Sequence, residues 1–100
     1  MATAQKNLSN FDKNEIPDAH KMKIGIVISQ WNNNITDNLL DGAKKTLLEL
    51  NVEEANIIIH YVPGTFELAL AAQYLFEHTN VQGIIALGSV IQGETKHFDF

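Results

Sequence analysis

Cysteine is absent from this chain of 100 residues, which excludes a disulfide framework, a thiolate nucleophile and a cysteine-ligated metal site; that absence fits a reducing cytoplasm. Basic residues are scarce. Seven lysine and arginine residues stand against twelve aspartates and glutamates, for a formal charge of −5 and a pI near 5.2. Such a balance gives no general electrostatic footprint for nucleic acid or an anionic membrane. Long apolar runs are missing as well: nothing approaches the roughly 20 consecutive apolar residues of a membrane span. The opening MATAQKNLSNFDKNEIPDAHK holds no continuous hydrophobic stretch of the signal-peptide kind. What remains is a composition ordinary for one globular domain, 45% hydrophobic and 19% charged. A domain of this size buries a lower fraction of its surface than a large one, which favours support from partner subunits.

Residues 1–21 are polar and aperiodic, with scattered apolar anchors at Leu8, Phe11 and Ile16, and read as an N-terminal arm. They are either disordered in isolation or docked on a neighbour through Phe11 and Ile16. An α/β domain is expected over 22–100. It opens with KIGIVIS, whose apolar residues from Ile24 to Ile28 are nearly continuous, as in a parallel strand buried on both faces. Thr36 is then a good N-cap for a helix ending near Asn51, with Leu39, Leu40, Ala43, Leu47 and Leu50 at helical spacing. NIIIHYV reads as a second strand, stopped at Pro63-Gly64. TFELALAAQYLFEH reads as a second helix, with Phe66, Leu70, Ala71, Tyr74 and Leu75 on one face. GIIALGSVI reads as a third strand. This alternation predicts right-handed βαβ units on a parallel sheet with helices on both faces. The chain reaches Phe100 soon after the third strand, so the expectation is a portion of a longer chain with its C-terminal elements missing.

Ligands of open parallel α/β sheets bind at the carboxyl ends of the strands, which selects three loops. In SQWNNNIT the single tryptophan, Trp31, precedes Asn32, Asn33 and Asn34. It can stack on a planar ring while an amide bonds the ring's edge, or simply cap the sheet. In VPGTFE, backbone N–H groups at a helix start can meet the polar edge of a ligand. There Glu67 is either a hydrogen-bond acceptor or a first-turn carboxylate favoured by the helix dipole.

The third loop, GSVIQGETKHF, places Gly88, Gly93 and Thr95 in register with a P-loop but puts Glu94 at the lysine position. Reversed charge there argues against ATP chemistry. Phosphate recognition survives, because N–H groups around Gly93, Glu94 and Thr95 can form an anion nest without a lysine. His97, two residues on, has an ordinary pKa suited to proton transfer near neutrality. The competing reading is a solvated loop with a surface histidine. Metal binding finds no support, since His97-x-Asp99 lacks a third ligand and His20, His60 and His78 are scattered. His60 reads as a core histidine or a strand-end residue.

Taken in order, WN at 31–32, VPGTFELA at 62–69 and ALGSVIQGETKHFDF at 86–100 resemble the lumazine synthase family of riboflavin biosynthesis. The resemblance implies a three-layer α/β/α flavodoxin-like parallel sheet. It implies an enzyme, needing no cofactor or metal, that condenses 5-amino-6-(ribitylamino)uracil with 3,4-dihydroxy-2-butanone 4-phosphate. The products are 6,7-dimethyl-8-ribityllumazine, phosphate and water. Trp31 takes the family's ring-stacking position and Asn32 follows it. Thr65, Phe66 and Glu67 match the segment that binds the ribityl chain and uracil, and Ser89, Val90 and Ile91 match the loop whose backbone meets the pyrimidine edge. Gly93, Glu94 and Thr95 match the phosphate turn, and His97 the general acid/base.

Two loop positions depart from the family pattern: Gln92 stands where arginine is frequent, and Lys96 where proline or a small residue is common. The larger departure is the missing C-terminal portion, which in the family supplies a phosphate-binding arginine and a neighbour's aromatic residue. The chain as it stands is therefore expected to bind weakly or be inactive. The family also implies homo-oligomers, pentamers or sixty-subunit shells, and a cytoplasmic location. The alternative is a non-catalytic flavodoxin-like module that binds phosphate or flavin, or a shell-forming structural protein.

Overall fold

Three β-branched-rich segments, each bounded by turn residues, form a single parallel sheet in the computed structural model, which describes residues 10–92. The strands are β1 (Ile24–Ser29), β2 (Ile57–Val62) and β3 (Gly83–Leu87), in the order β2-β1-β3. Ile26 lies opposite Ile59 on one side and Ile85 on the other. All six residues of β1 are buried, as its unbroken apolar run requires of a central strand covered on both faces. The helices are α1 (Asn33–Glu49) and α2 (Leu68–His78).

Strand order and handedness together fix the layers. The chain moves from β1 to β2 in one direction and from β2 back past β1 to β3 in the other. Right-handed crossovers then put α1 and α2 on opposite faces. The packing follows the pleat: Ile26, Ile28 and Leu40 form one core cluster with Ala43, Leu47, Ile59 and Ile85. Val27, Leu75 and Val81 form the other, with Ile58, Leu68, Ala71, Ala72 and Ile84. The expected three-layer α/β/α flavodoxin-like arrangement is the one observed.

Several local expectations need correction. The third strand ends at Leu87 and does not run on through Ile91. Helix α1 begins at Asn33, not after Thr36, because Asn32 takes a left-handed conformation (φ 62°, ψ 47°) and supplies the N-cap carbonyl. Asparagine tolerates that conformation better than most residues. Thr36 is instead fully buried within the first turns. The second helical segment is broken, with a 3-10 turn over Thr65–Glu67 preceding α2. Its apolar face is also rotated from the expected one. Leu68, Ala71, Ala72 and Leu75 face the sheet, while Phe66, Leu70 and Tyr74 are exposed. A Cβ on Gly25 would lie 3.0 Å from Leu75 Cδ1, so the glycine leaves room for the Leu75 side chain against β1. Finally, His60 is exposed on the outer strand β2 and is not a core residue.

Helix α1 stops where the sequence suggests. Asn51 is left-handed (φ 74°), and its N–H bonds the Leu48 carbonyl while that of Val52 bonds Leu47, closing a Schellman motif. The N-terminal segment is fastened beside this helix end. The Ala19 N–H donates to the Leu50 carbonyl at 3.3 Å and the Asn51 amide to Asp18 Oδ1 at 3.1 Å. Asn51 and His20 hold the Asp18 carboxyl below its ordinary pKa, with the Asn51 hydrogen bond the larger cause. Phe11 and Ile16 are exposed. Leu8 lies outside the described residues.

Candidate functional site

At the carboxyl end of the sheet, β1 runs directly into the loop of Gln30–Asn32, and backbone bonds stitch that loop to β2. Gln30 N–H donates to the Val62 carbonyl at 2.8 Å and Trp31 N–H to the Pro63 carbonyl at 3.1 Å. On the other side the Asn32 side-chain amide donates to the Ser89 carbonyl at 3.1 Å, joining residues 57 apart in sequence. The β1 loop is thus tied to both neighbours. The point where the crossovers diverge is where ligands of such sheets sit.

The loops enclose a cavity of about 280 Å³, lined by Trp31 and Asn32 from the first, Pro63–Glu67 from the second, and Ser89, Val90 and Ile91 from the third. The volume lies at the lower end for small-molecule sites. All eight residues to which the sequence reading gives a substrate contact are brought together here. Trp31 is 65% exposed and Phe66 70%, so two aromatic rings present area to a ligand at the rim. Pro63 and Gly64, to which that reading gives no contact of their own, also line the cavity. A second, more polar hollow of about 430 Å³ lies between the N-terminal segment and the end of α1, lined by Lys13, Asn14, Ile16, Pro17, Asp18, Leu50 and Asn51. It is larger but lies away from the strand ends, and it lacks the aromatic surface of the first.

Glu67 is the one charged side chain among the described lining residues. Its Oε1 accepts the Gly64 N–H at 3.1 Å, so the carboxylate braces the start of its own 3-10 turn. A carboxylate offers about four lone-pair positions, which leaves Glu67 capacity for a ligand hydroxyl. Beneath the cavity, Ser29 Oγ is buried and has no hydrogen-bond partner among the described residues. Gly88 fills the narrow space beside it: a Cβ on Gly88 would lie 3.5 Å from Ser29 Oγ and under 3 Å from Thr65 Cγ2 and Leu68 Cδ1. The importance of Gly88 could be suspected from a glycine closing an apolar strand, but its crowding could not. Gly93, Glu94, Thr95 and His97 lie outside the described residues. Among the described residues no three His, Cys, Asp or Glu side chains form a metal-holding group, and no helix is long and apolar enough to cross a membrane.

A flavodoxin-like α/β protein with a small-molecule cavity at the carboxyl ends of its strands is the class these features define. Residues 21–100 match the family model described as 6,7-dimethyl-8-ribityllumazine synthase, and the chain belongs to that family. It is 49% identical to the 6,7-dimethyl-8-ribityllumazine synthases of Parabacteroides distasonis and Porphyromonas gingivalis, across all of this chain and 62% of each relative. It is 50% identical to that of Flavobacterium johnsoniae across all of this chain and 53% of the relative. The chain therefore spans between half and two thirds of the length of these curated relatives.

Proposed function

We propose that this chain carries most of one active-site half of a 6,7-dimethyl-8-ribityllumazine synthase. The observation that carries the proposal is the single cavity into which Trp31, Thr65–Glu67 and Ser89–Ile91 converge, in a chain that belongs to that family. The pyrimidine ring of 5-amino-6-(ribitylamino)uracil stacks on Trp31, whose exposed face offers a flat polarisable surface. Backbone groups of Val90 and Ile91 read the ring's edge. Glu67, with Thr65 beside it, accepts from ribityl hydroxyls through the lone pairs that Gly64 leaves unused. Phe66 covers the opposite rim.

The N–H groups of Gly93, Glu94 and Thr95 take the phosphate of 3,4-dihydroxy-2-butanone 4-phosphate, and His97 moves protons. The 5-amino nitrogen attacks the ketone carbon and water leaves. Loss of the proton on the adjacent hydroxyl-bearing carbon then expels phosphate with the C–O bond electrons, the resulting enol tautomerises to a new carbonyl, and the ribityl-bearing nitrogen closes the ring on that carbon with loss of a second water. Each step needs a proton taken from nitrogen or carbon and one given to oxygen, which one histidine can alternate between. Most of the rate gain comes from holding two substrates together, since no metal or cofactor takes part in this scheme. Homo-oligomeric assembly, as a pentamer or a sixty-subunit shell, and a cytoplasmic location belong to the same proposal.

The test is product formation. The two substrates are mixed with the chain, and with a chimera that adds the C-terminal remainder of the Parabacteroides distasonis relative, while lumazine fluorescence is followed. Product from the chimera, with His97→Ala lowering turnover far more than substrate affinity, is expected. Substrate binding without product in the chimera would instead favour a non-catalytic module.

A further inference from the structure

Asn32 occupies an unusual position for a residue expected to touch the substrate. Its backbone is left-handed, its carbonyl accepts the Ile35 and Thr36 N–H groups at 2.9 and 3.1 Å, and its side-chain amide reaches across the strand ends to the Ser89 carbonyl. Every one of these features fixes the residue to protein. We infer that Asn32 is a positioning residue: the bond from its side-chain amide to the Ser89 carbonyl ties the β1 loop to the β3 loop and sets the gap between the Trp31 ring and the Ser89–Ile91 edge.

A left-handed backbone admits glycine, asparagine and aspartate with little strain, and of these only asparagine also offers an N–H donor at that reach. The neighbouring Trp31 is held by its backbone to Pro63, so the ring's carrier is pinned on the β2 side by one bond and on the β3 side by Asn32. Without the second, the Trp31 ring and the β3 loop are free to separate. The identity of the ligand in this inference rests on the function proposed above; the tie itself does not.

The test uses the 100-residue chain, whose only tryptophan is Trp31, with 5-amino-6-(ribitylamino)uracil as the probe. Asn32→Gly keeps the left-handed turn and removes the amide, and Asn32→Asp keeps the turn and sets an acceptor against a carbonyl. Lys45→Ala, on the exposed side of α1, is the control. Both Asn32 variants are expected to shift the Trp31 emission of the unliganded protein and to weaken the probe by about three- to tenfold, the range of one net hydrogen bond. In the parent, intermolecular NOEs are expected from the probe to the Trp31 ring and the Val90 amide and not to the Asn32 side-chain amide. Should the glycine variant fail to fold, the aspartate variant gives the same readout.

Unchanged unliganded emission in the variants, or a strong NOE between the probe and the Asn32 amide, would overturn the inference. A parent that does not bind the probe would count against the functional reading alone, because the unliganded emission still decides whether the tie exists.

Discussion

Gly88, at the end of β3, lies so close to Thr65 that a Cβ added to it would stand 2.8 Å from Thr65 Cγ2, and 2.9 Å from Leu68 Cδ1. The β3 loop and the 3-10 turn after β2 are therefore packed backbone against side chain, next to the cavity residues Thr65 and Ser89. Gly88→Ala must displace the Thr65 and Leu68 side chains. Overpacking of this kind costs about 1–3 kcal/mol, read as a lower urea midpoint at unchanged m-value, and the same variant should bind ligand more weakly than the parent.

The two apolar stripes of α2 separate on mutation. Leu75 is fully buried against Val27 and Val81, whereas Leu70 is 71% exposed. Leu75→Ala should lose about 2–5 kcal/mol, and Leu70→Ala in the monomeric chain less than about 0.5 kcal/mol. Equal losses in denaturant titrations would mean that α2 is rotated from the orientation described.

Gly42 lies within α1 and a Cβ there would meet nothing within 4 Å. Alanine therefore gains helix propensity without a clash. Gly42→Ala should stabilise the chain by about 0.5–1 kcal/mol, measured as a raised denaturation midpoint.

The fastening of the N-terminal segment should be sensitive to acid. Asn51 first, and then His20, hold the Asp18 carboxyl below the ordinary aspartate value, which is about 3.9. A folded-state pKa depressed in this way contributes stability that is fully present above the ordinary value and lost as pH falls through the folded one. Protection of the Ala19 amide, bonded to Leu50, relative to its intrinsic exchange rate should fall as pH drops below the ordinary aspartate value. Asp18→Asn should flatten that dependence.

The sequence revealed the sheet more readily than the helices, and the reason is physical. A central parallel strand must be apolar at every position, so Ile24–Ile28 could be read without knowing its neighbours. Helix α2 carries apolar residues on two sides, and periodicity cannot choose between the Leu68–Leu75 stripe and the Phe66–Leu70–Tyr74 stripe. The stripe that packs does so partly in the room that Gly25, distant in sequence, leaves for Leu75, a tertiary contact that periodicity does not carry. The start of α1 was hidden in the same way: Thr36 has the better capping chemistry, yet the left-handed turn at Asn32 begins the helix earlier. Which described residues line the cavity was legible because strand ends mark ligand loops. Of its internal bonds, the one from Gly64 to Glu67 is a local capping-box contact three residues apart, whereas the one from Asn32 to Ser89 depends on tertiary placement and has no signature in the chain.

The most direct test of a shared three-loop ligand site is a ¹H–¹⁵N titration of the chain with 5-amino-6-(ribitylamino)uracil. The Trp31 indole and the amides of residues 64–67 and 89–91 are expected to shift together along one binding curve. Amides around Lys13–Asp18 and Asn51, which border the other hollow, should stay in place. Shifts confined to that hollow, or to one of the three loops, would contradict it.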